Sequence, residues 1–272
     1  MTSTPLQIAT PLFEFREVTF RYDQVTALEN VSLAFQKNCC YALLGPNGSG
    51  KSTLLRLLDA LDHPSSGEVF FSGSPLTKDR LQDWNFSTEF RRRVALVFQN
   101  PDIQLFSATV FDELAFGPLQ LRWPPEEIRR RVAETLETME IAHLKDRAPH
   151  HLSIGEKKRV ALASVLILDP EILLLDEPTA SLDPRSESRM FDFLVNCRRG
   201  SKTIITATHD LAIVRDIADR CVIFQSGRLV AEGEPNQLLN DIPLLERAHL
   251  IHSHRHTHAS GEAHSHLHIH DR

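Results

Sequence analysis

A nine-residue stretch, Gly45–Thr53, constrains this chain more than any other part of the sequence. It fits the pattern G-x-x-x-x-G-K-[ST]. The apolar run Cys40–Leu44 before it predicts a buried strand. The leucines after it recur at the spacing of one helix face, at Leu54, Leu57, Leu58 and Leu61. A glycine-rich turn between a strand and a helix N-terminus presents backbone N–H groups and the positive end of the helix dipole to an anion. The stretch therefore predicts a phosphate-binding loop.

Two side chains of this loop suit a nucleotide in particular. Lys51 can reach the β- and γ-phosphates, and the hydroxyl of Ser52 can hold Mg²⁺. The candidate binding residues of the loop are Gly45, Pro46, Asn47, Gly48, Ser49, Gly50, Lys51, Ser52 and Thr53.

Composition favours a soluble globular protein. With 272 residues the chain can bury a full core and suits one large α/β domain. A formal charge of −6 gives no reason to expect nucleic acid as a partner. The longest apolar runs fall far short of the ~20 residues of a spanning helix. The first charged residue is Glu14, so we expect neither a signal peptide nor a membrane span.

Polar side chains follow three further apolar runs that predict buried strands. Gln99 ends the first run, Asp176 and Glu177 end the second, and His209 ends the third. Ligands bind at the carboxyl ends of strands in an open parallel sheet, so these groups can meet around one ligand. Asp176 suits Mg²⁺ and Glu177 suits activation of water, while Gln99 and His209 could point at the metal and the γ-phosphate.

Other local patterns predict structure around this site. Ser153 and Glu156 form S-x-x-E, a capping box that opens a helix. Tyr22 ends an alternating, strand-like run before the loop. It suits either stacking on adenine or an ordinary strand edge. Residues 73–90 are polar and predict irregular structure.

The motifs, taken together, resemble those of an ABC-transporter ATPase subunit. In chain order they correspond to Walker A, Q-loop, signature, Walker B, D-loop and H-loop, at Gly45–Thr53, Gln99, Leu152–Glu156, Leu173–Glu177, Ser181–Asp183 and His209. The resemblance covers about residues 12–235. It implies an α/β fold: a RecA-like P-loop NTPase core, an antiparallel β-subdomain and an inserted helical subdomain at about residues 100–150.

The same resemblance implies functional roles. The cofactors are ATP and Mg²⁺, and Tyr22 falls at the position of the adenine-stacking aromatic residue. The implied catalytic residues are Glu177, His209 and Gln99, and the implied Mg²⁺ ligands are Ser52, Gln99 and Asp176. Ser153, Gly155 and Asp183 of one subunit close on the ATP of a second ATPase subunit, so we expect a dimer, most simply of identical chains.

The signature departs from the family at one position. Ile154 stands where the family usually has glycine. A β-branched side chain hinders close backbone approach, so we expect a competent but slower site.

A finer resemblance connects the chain to energy-coupling factor (ECF) ATPases, especially the cobalt/nickel uptake subunits. It rests on Gln99–Phe106, Phe111–Pro118 and Glu156–Ala163. It implies an importer ATPase at the cytoplasmic face of the membrane, with a transmembrane coupling protein near the Q-loop and a substrate-capture protein. The Phe and Leu residues at about 105–116 either dock that protein or pack the helical subdomain. A vitamin importer, a non-transport ABC ATPase and a metal store remain alternatives.

The C-terminal part of the chain has a different composition. After a short helix predicted at 236–251, residues 252–272 form a flexible tail rich in histidine. Imidazole suits Ni²⁺ and Co²⁺, and H-x-H spacing in extended chain places the rings on one face. The candidate ligands are His252, His254, His256, His258, His264, His266, His268 and His270. A purification tag and a functionless solvated tail are the other interpretations.

Overall fold

The structure is a computed structural model that describes the backbone of residues 10–257 and 263–269, with side chains over residues 10–251. The strands are β1 (Phe13–Tyr22), β2 (Val25–Phe35), β3 (Cys40–Leu44), β4 (Ser66–Phe71), β5 (Ser74–Pro75), β6 (Val94–Val97), β7 (Ile172–Asp176), β8 (Thr203–Ala207), β9 (Arg220–Gln225), β10 (Arg228–Gly233), β11 (Ile251–Thr257) and β12 (Ala263–Ile269). The helices are α1 (Lys51–Leu58), α2 (Lys78–Gln82), α3 (Trp84–Arg93), α4 (Val110–Gln120), α5 (Pro125–Thr138), α6 (Ile154–Leu166), α7 (Pro184–Arg198), α8 (Leu211–Ile217), α9 (Pro235–Leu238) and α10 (Ile242–Arg247).

A six-stranded sheet in the order β10-β9-β3-β8-β7-β6 forms the centre of the molecule. Its strands run parallel except β10, which pairs antiparallel with β9. All residues of β3, β7 and β8 are buried, because both faces of the sheet are covered. Leu43 and Leu174 join the hydrophobic cluster on one face, and Leu44 and Leu175 join the cluster on the other. The carboxyl ends of β6, β7 and β8, which precede the predicted polar residues, thus meet at one edge of this sheet.

An antiparallel sheet in the order β2-β1-β4-β5 packs with α1 on the first face. Its pairing shifts register between Phe15 and Val18, where Glu17 has a φ of +50°. This bulge explains why the alternation of apolar residues changes phase along β1. The antiparallel β-subdomain expected from the sequence is present.

Helices α4 and α5 pack on α6 around a third cluster of apolar side chains. Ile128, Val132 and Leu136 form the buried stripe of α5. Helix α6 contributes Val160 to this cluster and Ala161 to the cluster on the second face of the main sheet. It therefore joins the helical part to the sheet that carries the site. The α/β P-loop fold with an inserted helical part is confirmed.

The prediction that residues 73–90 are irregular is wrong. Thr77 caps α2 by accepting from the N–H of Arg80 at 3.3 Å, and Asp83 caps α3 by accepting from the N–H of Phe86 at 2.8 Å. Phe90 of α3 is buried in the first cluster. Two caps and the packing of Phe90 against the core therefore support two helices in this polar stretch.

The C-terminal part also differs from expectation. The single helix expected at 236–251 is two helices, α9 and α10, because Asp241 caps a new helix by accepting from the N–H of Leu244 at 3.0 Å. The flexible tail expected at 252–272 contains strands β11 and β12, which pair antiparallel. Candidate ligands His258 and His270 lie outside the described residues. In the part of the chain that the structure describes, every helix is too short or too polar to cross a bilayer.

Candidate active site

The loop between β3 and α1 requires glycine at two positions. Gly45 has a φ of +153°, and a Cβ there would lie 2.4 Å from the carbonyl oxygen of Phe224. Gly50 has a φ of +105°, and its Cβ would lie 2.6 Å from the carbonyl oxygen of Ala27. Gly50 is also the N-cap of α1 and has no side chain to cap it, so the first N–H groups of the helix remain available to an anion.

Lys51 is held inside this loop. Its side chain is only 6% exposed, and its Nζ donates to the carbonyl oxygens of Gly45 at 2.7 Å and Pro46 at 3.2 Å. Burial lowers the pKa of the Lys51 ammonium, while the charges of Glu177 and Asp176 act in the opposite direction. The ammonium thus occupies the concave side of the loop, where a phosphate would be bound.

Two carboxylates at the end of β7 complete the charged part of the site. Burial raises the pKa of Asp176, and a hydrogen bond with Ser52 opposes the rise. Asp176 Oδ1, Glu177 Oε1 and Ser49 Oγ are buried and have no hydrogen-bond partner among the described residues. Oxygen donors of this kind suit a hard cation such as Mg²⁺ and a phosphate beside it. The residues present therefore fit Mg²⁺ with a nucleotide.

Glu177 has an unusual backbone conformation. Its φ is +45°, a region that residues with a Cβ seldom adopt. Its N–H donates to the carbonyl oxygen of Ala207 at 3.0 Å, and its Oε2 lies 2.9 Å from Nδ1 of His209. Its Oε1 lies 4.0 Å from Nζ of Lys51. Strain of this kind is typical of functional positions, where surrounding contacts hold the side chain in place.

A cavity of about 510 Å³ opens beside these groups. Its lining residues are Gly45, Pro46, Asn47, Gln99, Ala180, Ser181, His209, His249 and Leu250. Gln99 and His209 meet the loop here, as the sequence predicts. His249 and Leu250 were not predicted, because their position depends on where α10 ends.

Lys158 is a second residue that sequence reasoning missed. It lies on α6, is buried, and its Nζ donates to the carbonyl oxygens of Glu177 at 2.9 Å, Pro178 at 3.3 Å and Ala180 at 2.6 Å. Burial lowers its pKa to about 8. Lys158 thus ties the signature helix to the loop that carries Glu177. Lys158 stands between Lys157 and Arg159 in a charged run, so no pattern in the sequence distinguishes it.

The signature residues lie away from this cavity. The capping box is confirmed, since Ser153 Oγ accepts from the N–H of Glu156 at 3.3 Å and Glu156 accepts from the N–H of Ser153 at 2.8 Å. Gly155 is buried, and a Cβ there would lie 2.8 Å from Oγ of Ser186. That hydroxyl donates to Asp183 at 2.6 Å. Ile154, at the first position of α6, is exposed.

Tyr22 also lies outside the lining of the cavity. Its side chain is 43% exposed, and its ring packs edge-on against Phe20 with centroids 4.7 Å apart.

In residues 10–251, the structure groups no three His, Cys, Asp or Glu side chains in a way that would hold a metal ion.

Comparison with known proteins identifies the family of this site. Residues 28–180 match the family model described as ABC transporter. The chain belongs to the ABC transporter family. The ATPases of this family bind and hydrolyse ATP, which agrees with a phosphate loop that has Glu177 near Lys51 and Asp176 near Ser52.

Two relatives with assigned names are ATP-binding proteins of transporters. The chain is 51% identical to the nickel import ATP-binding protein NikO of Rhodobacter capsulatus over 245 residues, which is 89% of this chain and 96% of that protein. It is 41% identical to the energy-coupling factor transporter ATP-binding protein EcfA of Methanothermobacter thermautotrophicus, over 88% of this chain and 76% of that protein.

Solved structures have the same fold. The chain is similar to cbiO1 from Clostridium perfringens, part of the ABC transporter complex cbiONQ, with a TM-score of 0.73, 36% identity and coverage of 89% of this chain and 95% of that one. It is also similar to a dimeric, post-hydrolysis ATP-binding cassette bound to ADP and Pi, with a TM-score of 0.74, 28% identity and coverage of 82% and 98%.

Proposed function

We propose that this chain is the ATP-hydrolysing subunit of a multi-subunit membrane importer, and that its cargo is nickel or cobalt. One observation carries the hydrolytic part of this function. Lys51, Asp176, Glu177 and His209 lie around a single site, in which three buried oxygen atoms have no hydrogen-bond partner among the described residues. A site of this composition binds a polyphosphate and a divalent cation.

Each residue has a defined task in hydrolysis. Lys51 and the N–H groups of the loop bind the β- and γ-phosphates. Ser52, Asp176 and Gln99 would hold Mg²⁺, which neutralises charge on the phosphates when it is bound. Glu177 accepts a proton from the attacking water, and His209 keeps the Glu177 side chain in place through the 2.9 Å contact.

We propose that two copies of the chain form the working unit. Ser153, Gly155 and Asp183 do not line the cavity of their own chain. The N-terminus of α6 can instead meet the γ-phosphate bound to a partner. The dimeric state of the similar cassette bound to ADP and Pi supports this arrangement.

An exposed apolar patch supports docking to a membrane protein. Phe106 is 66% exposed, and its ring packs edge-on against the exposed ring of Phe116. Ile103 and Leu119 are exposed as well, whereas Val110 and Leu114 are buried in the helical core. The exposed group is the proposed contact with the transmembrane coupling protein, which would hold the chain at the cytoplasmic face of the membrane.

The choice of nickel or cobalt rests on two features. The relative from Rhodobacter capsulatus is named for nickel import, and the C-terminal strands β11 and β12 are rich in histidine. Imidazole is a good ligand for both ions. We therefore assign Ni²⁺ or Co²⁺ binding to the paired strands β11 and β12, which we call the C-terminal hairpin (residues 251–257 and 263–269). The EcfA relative favours a second candidate, an ECF-type importer of another cargo such as a vitamin.

Uptake by the complete importer tests the cargo. The ATPase, the coupling protein and the capture protein are reconstituted in vesicles, and accumulation of Ni²⁺, Co²⁺ and vitamins is measured with and without ATP. We expect ATP-dependent accumulation of Ni²⁺ or Co²⁺, and none with Glu177→Gln. Accumulation of a vitamin alone would contradict the metal assignment and favour the second candidate.

Truncation tests the hairpin separately. Deleting residues 252–272 is expected to remove most Ni²⁺ and Co²⁺ binding, measured by titration calorimetry, while ATP hydrolysis continues. A matched control replaces His150 and His151, an exposed pair outside the hairpin, with serine and should keep metal binding. Equal metal binding by the truncated chain would show that the hairpin is not the site.

A further inference from the structure

Helix α10 ends in a turn that usually contains glycine. The N–H of Leu250 donates to the carbonyl oxygen of Leu245 at 2.9 Å, and the N–H of His249 donates to that of Glu246 at 3.0 Å. These two bonds form a Schellman motif, with His249 in its left-handed position at a φ of +58°. Glycine adopts this conformation freely, whereas a residue with a Cβ resists it. At this position the chain has a histidine, so an imidazole stands where a glycine is usual.

The side chain of His249 lies at the ATP site. His249 and Leu250 line the cavity together with the phosphate loop, Gln99 and His209. Gln99 and His209 are the residues assigned to the metal and γ-phosphate side. His249 is exposed and polar, so its ring is available to a nucleotide bound there.

The chain on both sides of His249 is firmly packed. Ala248, Leu250 and Ile251 are buried in the same cluster as Leu44 of β3 and Leu175 of β7. Gln225 Nε2 donates to the carbonyl oxygen of Arg247 at 2.7 Å. Closely packed chain therefore joins Ile251 to His249 and the cavity wall, two residues away.

The histidine-rich hairpin begins at Ile251. Its register pairs residues across β11 and β12 as Ile251 with Ile269, His252 with His268, His254 with His266, and His256 with His264. Three pairs of histidines thus stand opposite one another in the register of β11 and β12, and the first histidine follows His249 by three positions.

We infer that metal bound to this hairpin and nucleotide bound in the cavity are coupled through His249, so that each ligand changes the affinity of the chain for the other. The coupling rests on the proposed binding of Ni²⁺ or Co²⁺ to the hairpin. Because coupling between two sites is reciprocal, both affinities must change by the same factor.

Calorimetry on the full-length chain tests the coupling. The Glu177→Gln variant is used because it slows hydrolysis. Its affinity for Mg²⁺–ATP is measured without Ni²⁺ and with the hairpin saturated by Ni²⁺. We expect a change of at least about fivefold, with an equal change in Ni²⁺ affinity when Mg²⁺–ATP is saturating. A variant with the six hairpin histidines changed to glutamine accounts for Ni²⁺ bound by the nucleotide itself or in place of Mg²⁺.

A second variant distinguishes coupling from loss of structure. His249→Gly retains the left-handed turn and removes the imidazole, so it should unfold at the same or a higher temperature while the coupling factor falls to about one. Metal binding with unchanged nucleotide affinity would overturn the coupling and leave the proposed hairpin site intact. Failure of Ni²⁺ to bind the hairpin would overturn both, and coupling that survives in His249→Gly would overturn the role of His249.

Discussion

At the residue scale, Glu177 is the side chain that we propose as the base in hydrolysis. Its Oε2 contacts His209 at 2.9 Å, and its buried Oε1 has no hydrogen-bond partner among the described residues. Its left-handed backbone is held by a hydrogen bond to Ala207. The position of this carboxylate is therefore set by neighbouring strands rather than by the local chain.

Glu177→Gln is expected to lower ATP turnover by about 10²–10⁴-fold, because the amide cannot accept the proton of the attacking water. ATP binding should persist, since Lys51 and the loop are unchanged. Phosphate release and nucleotide affinity measure the two effects. Glu171→Gln is the control, since Glu171 lies just before β7 and pairs with Lys37 and Arg93. Turnover by Glu177→Gln equal to that of Glu171→Gln would exclude Glu177 as the base.

Lys158 acts on Glu177 through the backbone. Lys158→Met is expected to lower kcat about tenfold, a loss equal to one hydrogen bond to a charged group, while nucleotide affinity changes little. Lys157→Met is the control, because Lys157 pairs with Asp102 at the surface. If both variants turn over ATP equally, Lys158 does not position the catalytic loop.

The same lysine predicts a pH effect on stability. Burial lowers its pKa in the folded chain to about 8 from 10.5. Between these values the unfolded chain binds the proton more strongly, so the folded wild type gains stability as pH rises from 8 toward 10. The unfolding free energy of wild type relative to Lys158→Met should rise by at most about 1.4 kcal/mol per pH unit. A difference that does not vary with pH would contradict the burial of the charge.

Asp176, Glu177 and His209 could be predicted from sequence because each directly follows an apolar run, and parallel strands end at one edge. Lys158 and His249 could not be predicted in this way. The three carbonyl groups that Lys158 reaches lie 19 to 22 residues away in the chain. The place of His249 follows from the end of α10, which short-range patterns fix poorly.

At the element scale, helix α6 links the parts of the site. Its capping box was predictable because Ser153 and Glu156 are three residues apart. Helices α2 and α3 were missed because Phe90 finds its partners in distant strands. The pairing of β11 with β12 also depends on contacts across a gap in sequence, whereas an H-x-H pattern alone suits any extended chain.

Ile154 lies at the exposed N-terminus of α6, where a partner would approach. Ile154→Ala and Ile154→Gly are expected to raise ATP turnover, since both remove the β-branched side chain. The glycine variant should also lose about 0.5–1 kcal/mol of stability relative to alanine. Phosphate release and thermal unfolding separate the two effects. Turnover equal to wild type in both variants would show that Ile154 does not slow the site.

At the scale of the whole molecule, two hydrophobic clusters cover the faces of the central sheet, and a third forms the helical part. The phosphate loop and the signature lie in different places within this arrangement. Ser153 does not line the cavity that contains Gly45 and His209. In the proposed dimer, each chain therefore supplies half of each of two ATP sites.

Mixing two inactive variants tests this claim most directly. Lys51→Ala removes the phosphate contact, and Ser153→Asp keeps a good helix cap but places negative charge where the γ-phosphate of the partner is bound. Each variant alone should hydrolyse ATP very slowly. A 1:1 mixture should recover clear phosphate release, because mixed dimers contain one site with Lys51 and Ser153 both intact. Activity of the mixture that equals only the average of the two variants would contradict a site shared between two chains.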